Sequence, residues 1–229
     1  MVVAGSSALM PGVRAEGDGL VEEGGASAGG VGGSSAIPMP EVPEQNDDGV
    51  YQIKTVNELY WFAALVNGTM TDVAKKTDAD AILLSNITIN EGTMTVDEQG
   101  VVRFGGSDPV LTWEPIGDNS TGYTGTFDGN GCSIFGLYIN GSETNYGGFF
   151  GKLGAGASVS DVIVEDSYMS TAHTTGLIAG YNDGSIDNCG NNNCRVIGAS
   201  TNVGGIVGNN NMGTITNCYN TAMVKSSGR

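Results

Sequence analysis

Apolar and small residues follow a pattern that occurs twice in the C-terminal half of the chain. The first copy runs from Gly176-Leu177-Ile178-Ala179 to Ser185-Ile186-Asp187-Asn188-Cys189, and its positions recur 29 residues later, up to Thr214-Ile215-Thr216-Asn217-Cys218. A period between about 20 and 50 residues is typical of solenoids, in which one repeat cannot bury its own apolar face and stacks on a copy of itself. The pattern therefore predicts stacked coils.

An Ile-x-x-apolar motif extends this repeat towards the N-terminus. The motif aligns Ile134…Leu137, Val159…Val162, Ile186…Cys189 and Ile215…Cys218, at intervals of 25, 27 and 29 residues. Coils of this length can hold short strands that pair in parallel with the coil before, about 4.8 Å away. Glycine and asparagine suit the corners because both tolerate left-handed turns. We expect about four coils over residues 111–229, with the aligned residues in one column.

A single helix is predicted ahead of the repeats. Thr55-Val56-Asn57-Glu58 has the spacing of a capping box, and Asn67-Gly68 supplies a stop signal. Between them Leu59, Phe62, Ala63 and Val66 form one apolar stripe. Because the open end of a solenoid needs a cover, we expect residues 49–110 to be a helix-containing N-terminal cap, with 91–109 as an excursion of undetermined structure.

The first 48 residues carry no apolar period. Residues 1–15 read either as the remnant of a signal peptide, with Val13-Arg14-Ala15 as a cleavage site, or as an accidental match to one. Residues 16–48 are rich in Gly, Ser and Pro and are predicted to be a disordered linker, because they bury too little surface to offset the entropy of ordering.

Charge narrows the range of partners. The chain has 9 basic and 25 acidic residues, a formal net charge of −16, so it lacks the clustered cations that nucleic acids and anionic lipids require. No apolar run reaches the length of about 18 residues that marks a membrane-spanning helix. The composition predicts no nucleic-acid partner and no membrane span.

Cys189 and Cys218 occupy the same position in successive coils. Their Cα atoms are therefore expected about 5 Å apart, inside the disulfide range. Two interpretations stay open: a disulfide, or a pair of stacked thiols packed as small hydrophobes in a column with Leu137 and Val162. Cys194 has no histidine nearby in the sequence, and we predict no metal site and no cofactor.

Carboxylates are the main candidates for chemistry. Paired acids about 5–10 Å apart catalyse glycoside hydrolysis, and the acids that could meet on adjacent coils are Asp161, Glu165, Asp166, Asp183 and Asp187. Solvated surface charge is the commoner explanation in so acidic a chain, so no catalytic residue is assigned. Asp128-Gly129-Asn130-Gly131 lacks the later ligands of a calcium loop and is predicted to be a tight turn.

Tyrosine side chains are further candidates for binding, and the one histidine is not. Tyr123, Tyr138, Tyr146 and Tyr168 could form an aromatic surface for a glycan, or could be ordinary strand residues. His173 lies among serines and threonines and is predicted to face water.

The chain resembles the GLUG-motif family of bacterial surface proteins. The residues that carry the resemblance are, in order, Tyr51-Gln52-Ile53-Lys54-Thr55 with Glu58-Leu59-Tyr60 and Val66-Asn67-Gly68, then Trp113-Glu114-Pro115-Ile116-Gly117, Gly125-Thr126-Phe127-Asp128-Gly129-Asn130-Gly131, and the Gly-apolar-apolar-Gly blocks at 148–151 and 205–208. The resemblance implies a right-handed parallel β-helix in a secreted or wall-attached protein. The motif also accompanies immunoglobulin A peptidases with a His-Glu-x-x-His zinc motif, but this chain has one histidine.

The sequence thus predicts an all-β, right-handed parallel β-helix with a small helix-containing cap. The predicted function is that of a bacterial cell-surface or secreted stalk or adhesin, which binds a glycan or a surface protein and belongs to a longer chain. The alternatives are a carbohydrate-active β-helix enzyme, such as a polysaccharide lyase or glycosidase, and a non-catalytic part of a surface protease.

Overall fold

A computed structural model describes residues 39–107, 109–141, 144–200 and 202–227. The predicted signal-peptide remnant and most of the predicted linker lie outside these residues. The helix α1 spans Val56–Asn67. The strands are β1 (Glu44–Gln45), β2 (Tyr51–Ile53), β3 (Ala81–Leu83), β4 (Ile87–Thr88), β5 (Met94–Val96), β6 (Val102–Phe104), β7 (Thr126–Asp128), β8 (Ser133–Phe135), β9 (Tyr138–Gly141), β10 (Tyr146–Gly147), β11 (Phe150–Leu153), β12 (Ser158–Ser160), β13 (Ile163–Glu165), β14 (Tyr168–Thr171), β15 (Thr174–Thr175), β16 (Ala179–Asn182), β17 (Ser185–Asp187), β18 (Gly190–Asn192), β19 (Arg195–Gly198), β20 (Val207–Asn210), β21 (Thr214–Thr216), β22 (Tyr219–Asn220) and β23 (Met223–Ser226).

The strands form the walls of a parallel β-solenoid. Wall A consists of β2, β3, β7, β12, β17 and β21, with β1 antiparallel at its edge. Wall B consists of β4, β8, β13, β18 and β22, wall C of β9, β14, β19 and β23, and wall D of β11, β16 and β20. The pair β10–β15 lies between walls C and D along the chain. The six parallel strands of wall A mark six levels, and the predicted fold class is confirmed.

The Ile-x-x-apolar motif predicted the register of the last three described levels of wall A. Ile186 pairs with Ile215 in parallel, and Val159 pairs with Ile186. Val159 and Ile186 are fully buried, and Ile215 is 37% exposed on the last described level. These residues form the expected apolar column in wall A, because consecutive coils place the same apolar position over the core.

The predicted alignment of Ile134 with Val159 is wrong. Val159 pairs with Phe127 in wall A, whereas Ile134 pairs with Val164 in wall B. The corner between β7 and β8 has four residues, Gly129–Cys132, where the next coil has two. The wall A interval is therefore 32 residues, from Phe127 to Val159, and the interval of 25 arose because Ile134 lies in the strand after this corner.

Leu137 also leaves the predicted column. Its backbone N–H donates to Oγ of Ser167 at 2.9 Å. Leu137 therefore lies at the corner between walls B and C, directly opposite Ser167 of the next level. The column that contains Val162, Cys189 and Cys218 lies at the corner between walls A and B. Its fourth member is Cys132, since the next residue, Ser133, pairs with Ile163.

The helix packs on the N-terminal levels of the core. Its predicted capping box is present, and Gly68 ends it with φ of 69° in the left-handed region. The fully buried ring of Phe62 contacts the rings of Tyr123 and Phe127 at centroid distances of 6.2 and 6.0 Å. The apolar stripe of α1 therefore covers the aromatic part of the core.

Parallel stacking begins earlier than the domain boundaries predicted from sequence. β2 and β3 extend wall A and β4 extends wall B, although all three lie within the predicted cap at 49–110. β1 lies within the predicted linker at 16–48 and pairs with β2. Residues 81–89 have the β-branched character of a strand, but strands of two or three residues give too short an apolar pattern to show which strands they pair with.

The segment predicted as an excursion of undetermined structure is an antiparallel hairpin. β5 and β6 pair from Met94 with Phe104 to Val96 with Val102. The ring of Phe104 meets the ring of Tyr138 at 6.1 Å, so the hairpin contacts the outer face of wall C.

The last described level has exposed apolar side chains. Tyr219, Met223 and Val224 are 47%, 53% and 39% exposed. Among the described residues no strand pairs with the outer edges of β20 to β23. In the same part of the chain, no helix has the length and apolar character needed to cross a bilayer.

Candidate functional site

The acids proposed from sequence as catalytic candidates form hydrogen bonds between coils. Asn188 donates from Nδ2 to Oδ1 of Asp161 at 2.6 Å. Oδ1 of Asp187 accepts from Oγ1 of Thr216 at 2.5 Å and from Nδ2 of Asn217 at 2.8 Å. These hydrogen bonds hold the pKa of Asp187 below its usual value. Both carboxylates therefore join one level to the next.

The remaining candidate acids have the same kind of partner. Oε1 of Glu165 accepts from Oγ of Ser133 at 2.6 Å, and Asp166 accepts from Nδ2 of Asn193. Asp183 accepts from Nδ2 of Asn211 at 2.9 Å. In the described part of the chain, no three His, Cys, Asp or Glu side chains could hold a metal ion together. These side-chain hydrogen bonds form a ladder between neighbouring levels.

The calcium-like loop is a tight turn. Asn130 and Gly131 have φ of 52° and 71°, and the N–H of Cys132 donates to the carbonyl of Gly129 at 2.8 Å. Oδ1 of Asp128 accepts from the N–H of Asn130 at 2.7 Å, which occupies an oxygen that a cation would need. His173 is exposed, as the sequence indicated.

All four cysteines are free thiols. Sγ of Cys218 accepts a hydrogen bond from the N–H of Cys189 at 3.4 Å, so the two residues lie on adjacent levels. Burial raises the pKa of Cys189 to about 12 and that of Cys194 to about 11. Buried thiols of this kind are poor nucleophiles because almost none is ionised at neutral pH.

The four tyrosines proposed as an aromatic surface do not share one surface. Tyr123 is fully buried, and its hydroxyl donates to the carbonyl of Ala79 at 2.8 Å. Tyr138 and Tyr168 stack on wall C with centroids 5.9 Å apart. Tyr168 is 6% exposed, so its face is not open to a ligand.

The fourth tyrosine belongs to a pair that the sequence did not reveal. The partly exposed rings of Tyr146 and Tyr181 meet at 5.3 Å, and Nζ of Lys152 lies 5.7 Å from the ring centroid of Tyr181. A Cβ on Gly180 would lie 2.8 Å from the Cβ of Tyr146, so only glycine allows this approach. We call Tyr146, Lys152 and Tyr181 the tyrosine platform.

Burial and a neighbouring carboxylate both change the pKa of Tyr181 in the platform. The pKa of Tyr181 is raised, first by burial and then by the negative charge of Asp183. The hydroxyl is therefore neutral and able to donate a hydrogen bond. Tyr181 lies 35 residues from Tyr146 on the next coil, a separation that no short motif reveals.

A groove lies between the hairpin and walls B and C. Its volume is about 290 Å³, and the residues that line it are Met94, Val96, Asn193, Cys194, Arg195, Thr221 and Met223. Parallel pairing places Tyr168, Arg195 and Met223 in one column of wall C. We call this feature the hairpin groove. The sequence did not indicate this groove, because the position of the hairpin depends on contacts distant in sequence.

Comparisons with known proteins agree with the solenoid. The family model described as "The GLUG motif" matches residues 199–225, which extend from the segment after β19 into β23, and confirms the resemblance found in the sequence. The chain is 32% identical over 170 residues to "Halomucin" of Haloquadratum walsbyi, and the aligned segment covers 69% of this chain and 2% of that protein. It is 38% identical over 79 residues to a "Putative Gly-rich membrane protein" of Evansella cellulosilytica, covering 33% of this chain and 9% of that one.

A solved structure shares the fold. It is the crystal structure of "a putative immunoglobulin A1 protease from Bacteroides ovatus", with a TM-score of 0.57 and 21% identity, over 84% of this chain and 53% of that one. This likeness concerns the fold alone. The chain thus spans about half of this structural relative and less than a tenth of the two sequence relatives.

Proposed function

We propose that this chain, which carries the GLUG motif, is a non-catalytic β-solenoid module of a bacterial cell-surface or secreted protein. It acts as a stiff stalk and binds a glycan on its outer wall. The observation that carries the proposal is the tyrosine platform, since two partly exposed aromatic rings and a cation are a common surface for sugar rings.

The environment of the acids supports a binding role over catalysis. A hydrolase or lyase needs a carboxylate that is free to exchange a proton with the substrate. Asp161, Asp166 and Asp187 instead accept hydrogen bonds from asparagines of the next level. We expect no product when the chain is incubated with a polysaccharide.

Location at the cell surface rests on the relatives. The sequence relatives are a halomucin and a protein named as a membrane protein, and both are far longer than this chain. A rigid module that is repeated or linked to others within a long protein would hold a binding surface away from the cell.

The proposal is tested by screening the purified chain against an array of neutral oligosaccharides. We expect binding that Tyr181→Ala weakens severalfold, because stacking of an aromatic ring is worth about 0.5–1.5 kcal/mol. The matched control is Tyr219→Ala, which removes a tyrosine that is 47% exposed on wall B. Absence of any glycan ligand, or equal losses in both variants, would contradict the proposal.

A further inference from the structure

Charge is distributed unevenly along the chain. All 25 acidic residues occur at or before Asp187, whereas residues 188–229 contain three cations, Arg195, Lys225 and Arg229, and no acid. Arg229 lies outside the described residues. The last level and a half of the solenoid therefore carries positive charge on a protein whose net charge is −16.

Arg195 and Lys225 are also distinguished by their lack of partners. Lys54, Lys75 and Arg103 each form an ion pair with a carboxylate. Lys76 lies over the ring of Tyr51, and Lys152 over that of Tyr181. Within the described part of the chain, the side chains of the remaining two cations make no ion pair and no hydrogen bond.

The register of wall C brings these two cations to the same face. Arg195 pairs with Met223, and Ile197 pairs with Lys225. The intervening Val196 is fully buried, so Arg195 and Lys225 point outward. A strand spacing of about 4.8 Å and a rise of about 3.3 Å per residue put their Cα atoms roughly 8 Å apart.

The hairpin groove adds an apolar side to this cationic pair. Met94 and Val96 of the hairpin lie across the groove from Arg195 and Met223. A sugar ring that carries an acidic group has the complementary chemistry: its C–H faces contact the thioether and aliphatic side chains, and its anion meets the cations. A volume of about 290 Å³ has room for about one such ring.

We propose that the hairpin groove binds the carboxylate or sulfate group of an acidic polysaccharide. Arg195 donates to the anion in two-point geometry, which its planar guanidinium suits. Lys225 does not line the groove, but it lies on the same outer face of wall C and supplies a second charge beside it.

Two acids near the groove have other partners: Asp97, which follows Val96, pairs with Arg103, and Asp166 lies one level before Asn193. Asp166 accepts from Nδ2 of Asn193 and lines a separate cavity with Thr88 and Asn90 on another side of the hairpin. Because no described carboxylate pairs with Arg195, a ligand anion has no internal competitor.

This inference rests on the proposed glycan binding and names its ligand class, but it uses a different surface. The test measures binding of the full chain to oligogalacturonate and to the methyl ester of the same oligosaccharide, which has no charge. We expect the acid to bind at least about tenfold more tightly than the ester, because hydrogen bonds between charged groups are worth about 1.5–3 kcal/mol. The preference should fall when ionic strength rises from about 0.05 M to about 0.5 M.

Three variants locate the site. Arg195→Gln and Lys225→Gln should each remove most of the preference for the acid, and Lys225 is exposed enough for its variant to fold. Lys54→Gln removes one positive charge near the other end of the solenoid and should keep the preference. Tyr181→Ala should weaken binding of the ester, which depends on the platform, and keep the Arg195-dependent binding of the acid.

The outcomes separate this inference from the proposed function. Equal binding of acid and ester, or a preference that survives Arg195→Gln and Lys225→Gln, would overturn the groove site and leave the platform standing. An effect of Arg195→Gln without any effect of Tyr181→Ala would support the groove and contradict the platform. Equally tight, Arg195-dependent binding of oligoglutamate would overturn the assignment to a polysaccharide.

Discussion

The side chain of Asn188 donates to the carboxylate of Asp161, 27 residues earlier, across 2.6 Å. Both residues adopt left-handed backbone conformations, with φ of 50° and 57°, and Asn217 repeats this conformation one level further on with φ of 54°. Asn and Asp are the side-chain-bearing residues that tolerate this region best. One position therefore meets two needs of the solenoid, the turn of the corner and a hydrogen bond to the neighbouring level.

The two contributions of Asn188 can be separated by substitution. Asn188→Gly loses the hydrogen bond but keeps an easy left-handed turn, so we expect a loss of about 0.5–1.5 kcal/mol in unfolding free energy. Asn188→Ala should lose about 1–2 kcal/mol more, because a Cβ is unfavourable at this φ. Urea unfolding measures both losses. Equal stability of the two variants would show that the backbone conformation contributes nothing.

The hydrogen bonds to Asp187 should make stability depend on acidity. They lower the pKa of this carboxyl below the usual 3.8, the value taken for the unfolded chain. Such a group adds stability at pH values above its unfolded pKa, and this contribution is lost as the pH falls through the folded pKa. Unfolding free energies measured from about pH 6 down to pH 3 should fall less steeply below about pH 4 in Asp187→Asn than in the parent chain. Parallel curves would contradict this role.

The aromatic core near α1 should be the most sensitive place for cavity formation. The fully buried ring of Phe127 meets the rings of Phe62, Phe149 and Phe150 at 5.4 to 6.0 Å. Phe127→Ala should cost about 3–5 kcal/mol, since it leaves a cavity in a packed core. Met212→Ala, at a residue that is 76% exposed, is the control and should change stability by less than about 0.5 kcal/mol. Thermal and urea unfolding measure both losses. Similar losses in the two variants would contradict this role of Phe127.

The cysteines should react in two groups. Burial raises the pKa values of Cys189 and Cys194, whereas Cys132 and Cys218 are partly exposed. Alkylation of the native chain, followed by mass spectrometry, should therefore modify Cys132 and Cys218 first. In denaturant without reductant all four thiols should react. Modification of only Cys132 and Cys194 there would show that Cys189 and Cys218 form the alternative disulfide.

The sequence was most informative where local chemistry determines structure. Thr55, Glu58 and Gly68 marked the ends of α1, because capping depends on residues within one helical turn. Ile186 and Ile215 gave the correct register, because their two coils have equal corners and the period is preserved.

The alignment of Ile134 failed for a physical reason. Its Ile-x-x-Leu pattern ends at Leu137, after Gly136 with φ of 69° at the corner between walls B and C. The pattern of Val159 and Val162 spans the corner between walls A and B, where Asp161 has φ of 57°. Two different corners thus share one motif, an apolar strand residue followed by a left-handed turn and a buried residue. Motif spacing alone does not distinguish them.

The candidate binding surfaces were less predictable than the fold. Tyr146 and Tyr181 meet across coils, and Arg195 meets the hairpin across about 100 residues of sequence. Such contacts depend on corner lengths and on where an insertion folds back. The one sequence feature that pointed to the hairpin groove is the absence of acidic residues around Arg195 and Lys225.

Successive coils stack in parallel, with Ser185 directly opposite Thr214. Introducing two cysteines as Ser185→Cys and Thr214→Cys, oxidising the chain and mapping the linked peptides tests this register most directly. Directly opposite residues lie within the disulfide range, whereas Ser185→Cys with Thr216→Cys places the pair on a diagonal of roughly 8 Å, beyond it. We predict a disulfide between positions 185 and 214 and none between positions 185 and 216. A bond in the second pair, or in neither, would contradict the stacked parallel coils.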